Sequence, residues 1–336
     1  MSDRAWEILK ELISINSPSG HEEKITTFIE DFLENLGYKI EKQEIGNIVV
    51  NPKADLWIMT HVDTIPPVAN LQRRNSLVFG TGACDAKASV ASILLFLEKV
   101  SKLKLGVALL VDEEEEGTGA KKIVKEYKKR LAIIMEPTSL KIADRHCGTL
   151  ELEIDVKGEA AHASLPTQGI NAIKQAMNMI KRIESLELPV DIAILRINGG
   201  GNIYAIPEEC RIVIDFIIPP KLKVKDVEDA ISRIIVQYGS YKILDRENPF
   251  FCSKEVCALI EKAMRESKLK IRYCRMPSWS DAVTLHKANW KVAVWGPGDL
   301  RVAHTKNEYV DIREVSKATN VLLKLNAIIS KKTVKK

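Results

Sequence analysis

Among 336 residues only six are cysteines (Cys84, Cys147, Cys210, Cys252, Cys257 and Cys274), and no two form a Cys-x-x-Cys pair. That excludes the common zinc-finger and thioredoxin patterns, and the density is far below that of a disulfide-stapled secreted domain. Most of the cysteines read as small buried hydrophobes, and a cytoplasmic setting is expected. No stretch of about eighteen apolar residues occurs, so no membrane-spanning helix is expected. The opening segment "MSDRAWEILKELISIN" carries charges within its apolar pattern and predicts an amphipathic helix instead of a cleavable leader. There is no Gly-x-Ser-x-Gly elbow, and Gly80-x-Gly82 lacks the third glycine of a dinucleotide fingerprint. Cys147 beside His146 hints at a thiol nucleophile, but nothing in the sequence supplies a third group to orient it.

Charge of one sign is also scarce as a block. Fifty Lys and Arg face 45 Asp and Glu for a net charge of +5, and the only basic run is the tail "SKKTVKK", expected to be a frayed end. With no zinc finger, aromatic RNA-binding motif or Arg-rich arm, nucleic acid is not an expected partner, whereas a mildly basic surface is open to an acidic one.

What is present is length enough for two cores, with 46% hydrophobic residues. Up to about residue 148, β-branched runs ("YKIEKQEIGNIVVN", "LWIMTHVD", "LGVALLVDEE", "LAIIMEP") alternate with helical patterns such as "DAKASVASILLFLEKVSK". This predicts an α/β layer with a largely parallel sheet. The next hundred residues read β-α-β-β-α-β, the order of a ferredoxin-like sandwich. The expected organisation is a discontinuous domain of residues 1–148 and 247–336, its sheet completed by "KVAVWGPG", with a smaller domain inserted at 149–246.

The apolar strands end in ionisable groups: His61 and Asp63, Asp85, Glu113 and Glu114, Glu136 and, later, His304. In open α/β sheets, ligands bind beyond the carboxyl ends of the strands. Singly, each group has a plain structural reading: Asp85 as a helix cap, "DEEEE" as a charged loop, His162 of the insert as a surface histidine. Together, five carboxylates and two histidines cannot share one crevice without cations, because like charges a few ångströms apart force several carboxyls to stay protonated. A metal centre resolves the conflict. In "THVDT", residues two apart on a strand face the same way. His61 is thus the candidate ligand, and Asp63 the carboxylate that orients it. Adjacent glutamates after "LLVD" allow one to bind metal while its neighbour acts as general base.

His61-x-Asp63, Gly82-x-x-Asp85-x-Lys87, Asp112-Glu113-Glu114, Glu136-Pro137-Thr138 and Ala303-His304-Thr305 stand in the order and rough spacing of the M20 metallopeptidase family, and the chain resembles that family over almost its whole length. The resemblance implies a zinc-peptidase-like mixed-sheet catalytic domain with an inserted ferredoxin-like lid and dimerisation domain. It implies one metal held by His61, Asp85 and Glu136 and a second by Asp85, Glu114 and His304, with a cis peptide bond after Asp85. Glu113 is then the general base. Counting back from Gly117 instead makes Glu114 the base and Glu115 the ligand. The donor set suits two Zn²⁺ ions, with Co²⁺ as a substitute. The resemblance further implies that His162 donates a hydrogen bond in the transition state, across a homodimer, and that Asn202 contacts substrate. Where relatives commonly carry an arginine, this chain has Ile217, and Arg211 or Arg301 is the candidate replacement. Within the family, "PSWSDAVTLH" and "WGPGDLRVAHTKNEYV" look most similar to hydrolases of lysine and ornithine biosynthesis. These release the amino acid from the γ-glutamyl terminus of an acidic amino-group carrier protein. The alternative is a deacylase of N-acetyl-lysine, N-acetylornithine or succinyl-diaminopimelate.

Overall fold

The computed structural model describes residues 2–333. It divides into two compact units, one made of the chain up to Asp144, Cys252–Met276 and the chain from Ser280, the other of Arg145–Phe251 with Pro277–Trp279. The inserted unit is therefore a few residues longer at each end than the 149–246 read from the sequence.

The first unit is built on a mixed sheet, in the order Ile40–Lys42, Ile48–Val50, Gly106–Leu110, Leu56–His61, Leu131–Ile134, Lys291–Val294, Ile142–His146, with Tyr273–Met276 also paired to Ile142–His146. The four central strands, from Gly106–Leu110 to Lys291–Val294, are mutually parallel. Their neighbours on either side are antiparallel. "YKIEKQEIGNIVVN" accounts for part of the difference from a largely parallel sheet, because it folds into a hairpin, Ile40–Lys42 against Ile48–Val50. The central strands are continuous apolar runs: all six residues of Leu56–His61 and all five of Gly106–Leu110 are buried, as a strand covered on both faces requires. Helix Lys87–Lys99 is buried at every position from Lys87 to Leu97, since "ASVASILLFL" offers no polar face. It packs against helices Ser2–Ser14 and Ile312–Thr333. The last helix takes in the start of the basic tail, and residues 334–336 lie outside the described residues.

A small antiparallel sheet, Gln72–Arg74, Leu77–Phe79 and Tyr309–Asp311, ties the segment after His304 to the segment before Asp85.

The second unit has four antiparallel strands in the order Asp191–Gly199, Glu209–Ile218, Gly148–Lys157, Gly239–Glu247, the ferredoxin-like arrangement. Strand Gly148–Lys157 alternates strictly, turning Leu150, Leu152, Ile154 and Val156 into a core shared with helices Ala172–Glu184 and Val224–Ile235. Among the described residues no helix is long and apolar enough to cross a membrane. Five of the six cysteines are buried, Cys274 is partly so, and none is in a disulfide.

Candidate metal centre

Three of the parallel strands deliver the site. Leu56–His61 ends on His61, Gly106–Leu110 runs through Val111 and Asp112 to Glu113 and Glu114, and Leu131–Ile134 leads to Glu136. Asp85 stands two residues before helix Lys87–Lys99, and His304 follows the short helical turn Leu300–Val302. Asp112 and His304 both take left-handed backbone, with φ 62° and 60°, which turns the chain sharply at each loop. The Asp85–Ala86 peptide bond is cis.

These groups converge. His61 Nε2 lies 3.2 Å from Asp85 Oδ1 and 3.8 Å from Glu136 Oε2. His304 Nε2 lies 3.6 Å from the other Asp85 oxygen, Oδ2, and 3.0 Å from Glu114 Oε1. One carboxylate thus faces two imidazoles, one through each oxygen. His61, Asp85 and Glu114 each offer a ligand atom within 4.8 Å of the others. Glu113 Oε2 is 3.9 Å from His61 Nε2. Glu113 is buried, whereas Glu115 and Glu116 are exposed.

Asp63 orients the cluster. His61 Nδ1 is 3.0 Å from the backbone carbonyl of Asp63 and 3.4 Å from its Oδ1, so the nearer acceptor is the main chain and not the carboxylate expected from the sequence. Both acceptors call for a proton on Nδ1, which leaves Nε2 to face the site. Asp63 Oδ2 accepts from the Ser19 hydroxyl at 2.7 Å and from the Glu114 N–H at 3.0 Å.

The crowding is visible in the proton affinities. Burial pushes the carboxyls of Glu113 and Glu136 well above the usual range; nearby carboxylates add to this and His61 opposes it. Burial works against protonation of His61, but the charges and hydrogen bonds of Glu113, Asp63, Asp85 and Glu136 prevail and raise it well above its ordinary value. Burial would also raise Asp63, yet its contacts with His61, Glu114 and Ser19 hold it below the usual carboxylate range. Glu136 Oε1 is buried without a hydrogen-bond partner among the described residues. A cluster of imidazole and carboxylate donors, including a buried orphan oxygen, is one that divalent cations would satisfy.

Other sequence-predicted residues lie in different settings. His162 is exposed, with Nδ1 2.8 Å from the Ser164 hydroxyl and its ring edge-on to Tyr204. Asn202 is exposed in the segment whose Gly200, Gly201 and Ile203 line a cavity of about 430 Å³. Arg211 donates to Asp155 at 2.7 Å on the sheet of the second unit. Arg301 is engaged by Asp299, two residues away. Two buried acids near the cluster were not singled out from the sequence, Glu308 and Asp281. Their only signal is their company, since Glu308 stands in "HTKNEYV" and Asp281 in "PSWSDAV", two segments that carry the resemblance.

The comparisons agree with this architecture. The chain is 26% identical over 326 residues to a LysW-lysine/LysW-ornithine hydrolase of Saccharolobus solfataricus, covering 94% of this chain and 93% of that one. Its fold is shared by a tripeptidase from Staphylococcus aureus, with a TM-score of 0.83 at 20% identity, covering 98% of this chain and 99% of the other. An M20 family metallo-carboxypeptidase from Sulfolobus solfataricus also shares it, with a TM-score of 0.75 at 17% identity and coverage of 98% and 100%. The model of peptidase family M20/M25/M40 matches residues 57–327, and the chain belongs to that family.

Proposed function

We propose that this protein is a two-metal amide hydrolase that frees lysine or ornithine from the γ-glutamyl terminus of an acidic carrier protein. The observation that carries the metal reading is the Asp85 carboxylate, with one oxygen toward His61 and the other toward His304. In this reading His61, Asp85 and Glu136 hold one ion, and Asp85, Glu114 and His304 the other. Zn²⁺ fits the donor set, and Co²⁺ substitutes for it. Two bound divalent ions supply an acidified water and a polarised scissile carbonyl.

The chain's own groups do the rest. Glu113 accepts a proton from the attacking water and passes it to the departing amine as the carbon–nitrogen bond breaks, and its raised proton affinity suits both halves of that task. His61 and Asp63 keep Nε2 directed into the site. His162, reaching across the homodimer, donates a hydrogen bond to the developing oxyanion of the neighbouring copy. Asn202, with Arg211 or Arg301, contacts the substrate.

The substrate class is supported by the name of the Saccharolobus solfataricus relative, similar over nearly the full length of both chains. The net charge of +5 suits an acidic partner. Six cysteines without a disulfide suit a cytoplasmic location. A homodimer formed through the second unit is part of the same reading, supported by the apolar residues exposed on its edge strand Asp191–Gly199.

The deciding experiment measures metal content by elemental analysis, then kcat/KM for release of lysine and ornithine from carrier-linked, N-acetylated and N-succinylated forms. A preference of at least a hundredfold for the carrier-linked amide is expected. Equal efficiency on the acetylated amino acid would sink the carrier and leave a small-molecule deacylase.

A further inference from the structure

Three backbone N–H groups of the turn that ends in Asp85 point at one side chain from the far end of the chain. Glu308 Oε1 accepts from the N–H of Cys84 at 3.0 Å and from that of Asp85 at 3.2 Å. Its other oxygen, Oε2, accepts from the N–H of Gly82 at 3.1 Å. The partners are 223 to 226 residues apart in sequence, and Glu308 is 1% exposed. The small sheet makes the meeting possible: Tyr309–Asp311 pairs with Leu77–Phe79, and the Gly80 N–H donates to the Glu308 carbonyl at 3.2 Å.

The other side of the turn is closed as well. Gly82 has φ 78°, and a Cβ there would stand 2.6 Å from Thr64 Cγ2 and 3.0 Å from the Lys87 side chain. The Lys87 amine is fixed by donating to the Ile15 carbonyl at 2.6 Å. Lys87 and Thr64 therefore hold the turn by packing, while Glu308 holds it by hydrogen bonds. Only the latter reach the N–H of Asp85 itself.

We infer that Glu308 is a positioning residue, whose carboxylate fixes the backbone from which Asp85 presents one oxygen to His61 and the other to His304. The inference rests on reading Asp85 as a ligand shared by two metal ions. A shared ligand has to satisfy two directions at once, so a small rotation of its backbone misaims one oxygen or both. Removing Glu308 leaves three buried N–H groups without their acceptor, and the turn shifts to find others. A glutamine cannot replace it fully, because its amide offers one acceptor oxygen where the turn needs both.

The test uses the full-length protein, stripped of metal and titrated with Co²⁺, read by visible absorption and by bound-metal stoichiometry. Binding by the unsubstituted protein is read first, and its absence would overturn the metal reading and the inference with it. Given binding, Glu308→Gln is expected to weaken Co²⁺ affinity about 10- to 100-fold and to alter the cobalt spectrum, as loss of a group that orients a ligand does. kcat should fall with little change in KM. Glu308→Ala should go further in the same direction, and if it fails to fold the glutamine variant alone decides. Thr319→Ala, which removes hydrogen bonds to the Ser92 and Val315 carbonyls in the helical layer, serves as a control for lost stability. It should lower the melting temperature and leave the cobalt spectrum unchanged. If the glutamine variant also melts lower yet binds Co²⁺ with unaltered affinity and spectrum, Glu308 only closes a turn and the inference falls.

Discussion

Asp63 and Glu114, 51 residues apart in sequence, are joined by a hydrogen bond in which the Glu114 N–H donates to Asp63 Oδ2 at 3.0 Å. The other oxygen of Asp63 faces His61 Nδ1 at 3.4 Å. The carboxylate therefore holds the backbone of one candidate ligand by a hydrogen bond and adds its charge to the main-chain carbonyl that holds the ring of another. Asn is a poor substitute, because one end of its amide donates where both ends must accept. Asp63→Asn is expected to weaken metal binding about 10- to 100-fold and to reduce kcat/KM in parallel. Titration with Zn²⁺ against a competing chelator checks this, and unchanged affinity would confine Asp63 to a packing role.

Glu113→Gln separates binding from chemistry. The substitution keeps the shape and removes one charge from a crowd of carboxylates, so metal content should stay the same. Turnover should fall by about 10²- to 10⁴-fold, the usual worth of a general base. Glu115 is exposed, and Glu115→Gln should leave both quantities unchanged. Activity within threefold of normal in the Glu113 variant would move the base elsewhere in the glutamate run. Steady-state kinetics beside elemental analysis distinguish the two outcomes.

Much of this site was legible because chemistry and pattern coincided. Strand ends rich in His, Asp and Glu are conspicuous against buried apolar runs, and His61, Glu113, Glu114 and Glu136 stood out that way, whereas Asp85, after a Gly-rich turn, and His304, in a Gly- and Pro-rich loop, stood out by their company. The β-α-β-β-α-β order of the insert was equally plain, since its helices and strands have clean periods. What could not be read is what depends on distant backbone. Glu308 follows no apolar strand and is explained only by three N–H groups more than 220 residues away. Asp281 opens a helix and resembles an ordinary first-turn acid until its full burial is seen. The hairpin within residues 40–50 was hidden because its strands are three residues each, too short for a period.

Asp281 leads to a prediction about pH. Burial pushes its carboxyl from an ordinary 3.8 up to about 7, with Asp63 and Asp112 adding to the rise and His61 opposing it. A carboxyl raised on folding costs stability as pH increases: the cost begins above 3.8, where the unfolded chain ionises, and is complete above about 7. Neither of its oxygens has a hydrogen-bond partner among the described residues, so Asn gives up little. Metal-free Asp281→Asn should therefore be more stable than the unsubstituted protein at pH 8, by up to the order of 4 kcal/mol. The gain should be smaller at pH 5. Urea unfolding at both pH values, in the presence of a chelator, measures it. A variant less stable at pH 8 would show that the ionised carboxylate has a compensating partner.

Strand Asp191–Gly199 is the edge of the second unit's sheet and carries Ile194, Leu195 and Ile197, exposed by 46%, 59% and 48%. Long apolar edges invite pairing with another chain, and natural proteins usually blunt them with charge or cover them. Here the register shifts between Ile194 and Arg196, which places Leu195 at an irregularity and brings apolar side chains to the open side. In the proposed homodimer a second copy of the same strand, running antiparallel, would cover these residues and extend the sheet in a closed two-fold contact. Leu195→Lys combined with Ile197→Lys places four like charges in that contact, two from each copy, and should turn a dimer into a monomer. The fold should survive, because all three side chains lie outside the unit's core. Sedimentation velocity at micromolar concentration gives the answer. A dimer that persists in the double variant would put the interface on another surface, and a monomeric unsubstituted protein would remove the dimer from the proposal altogether.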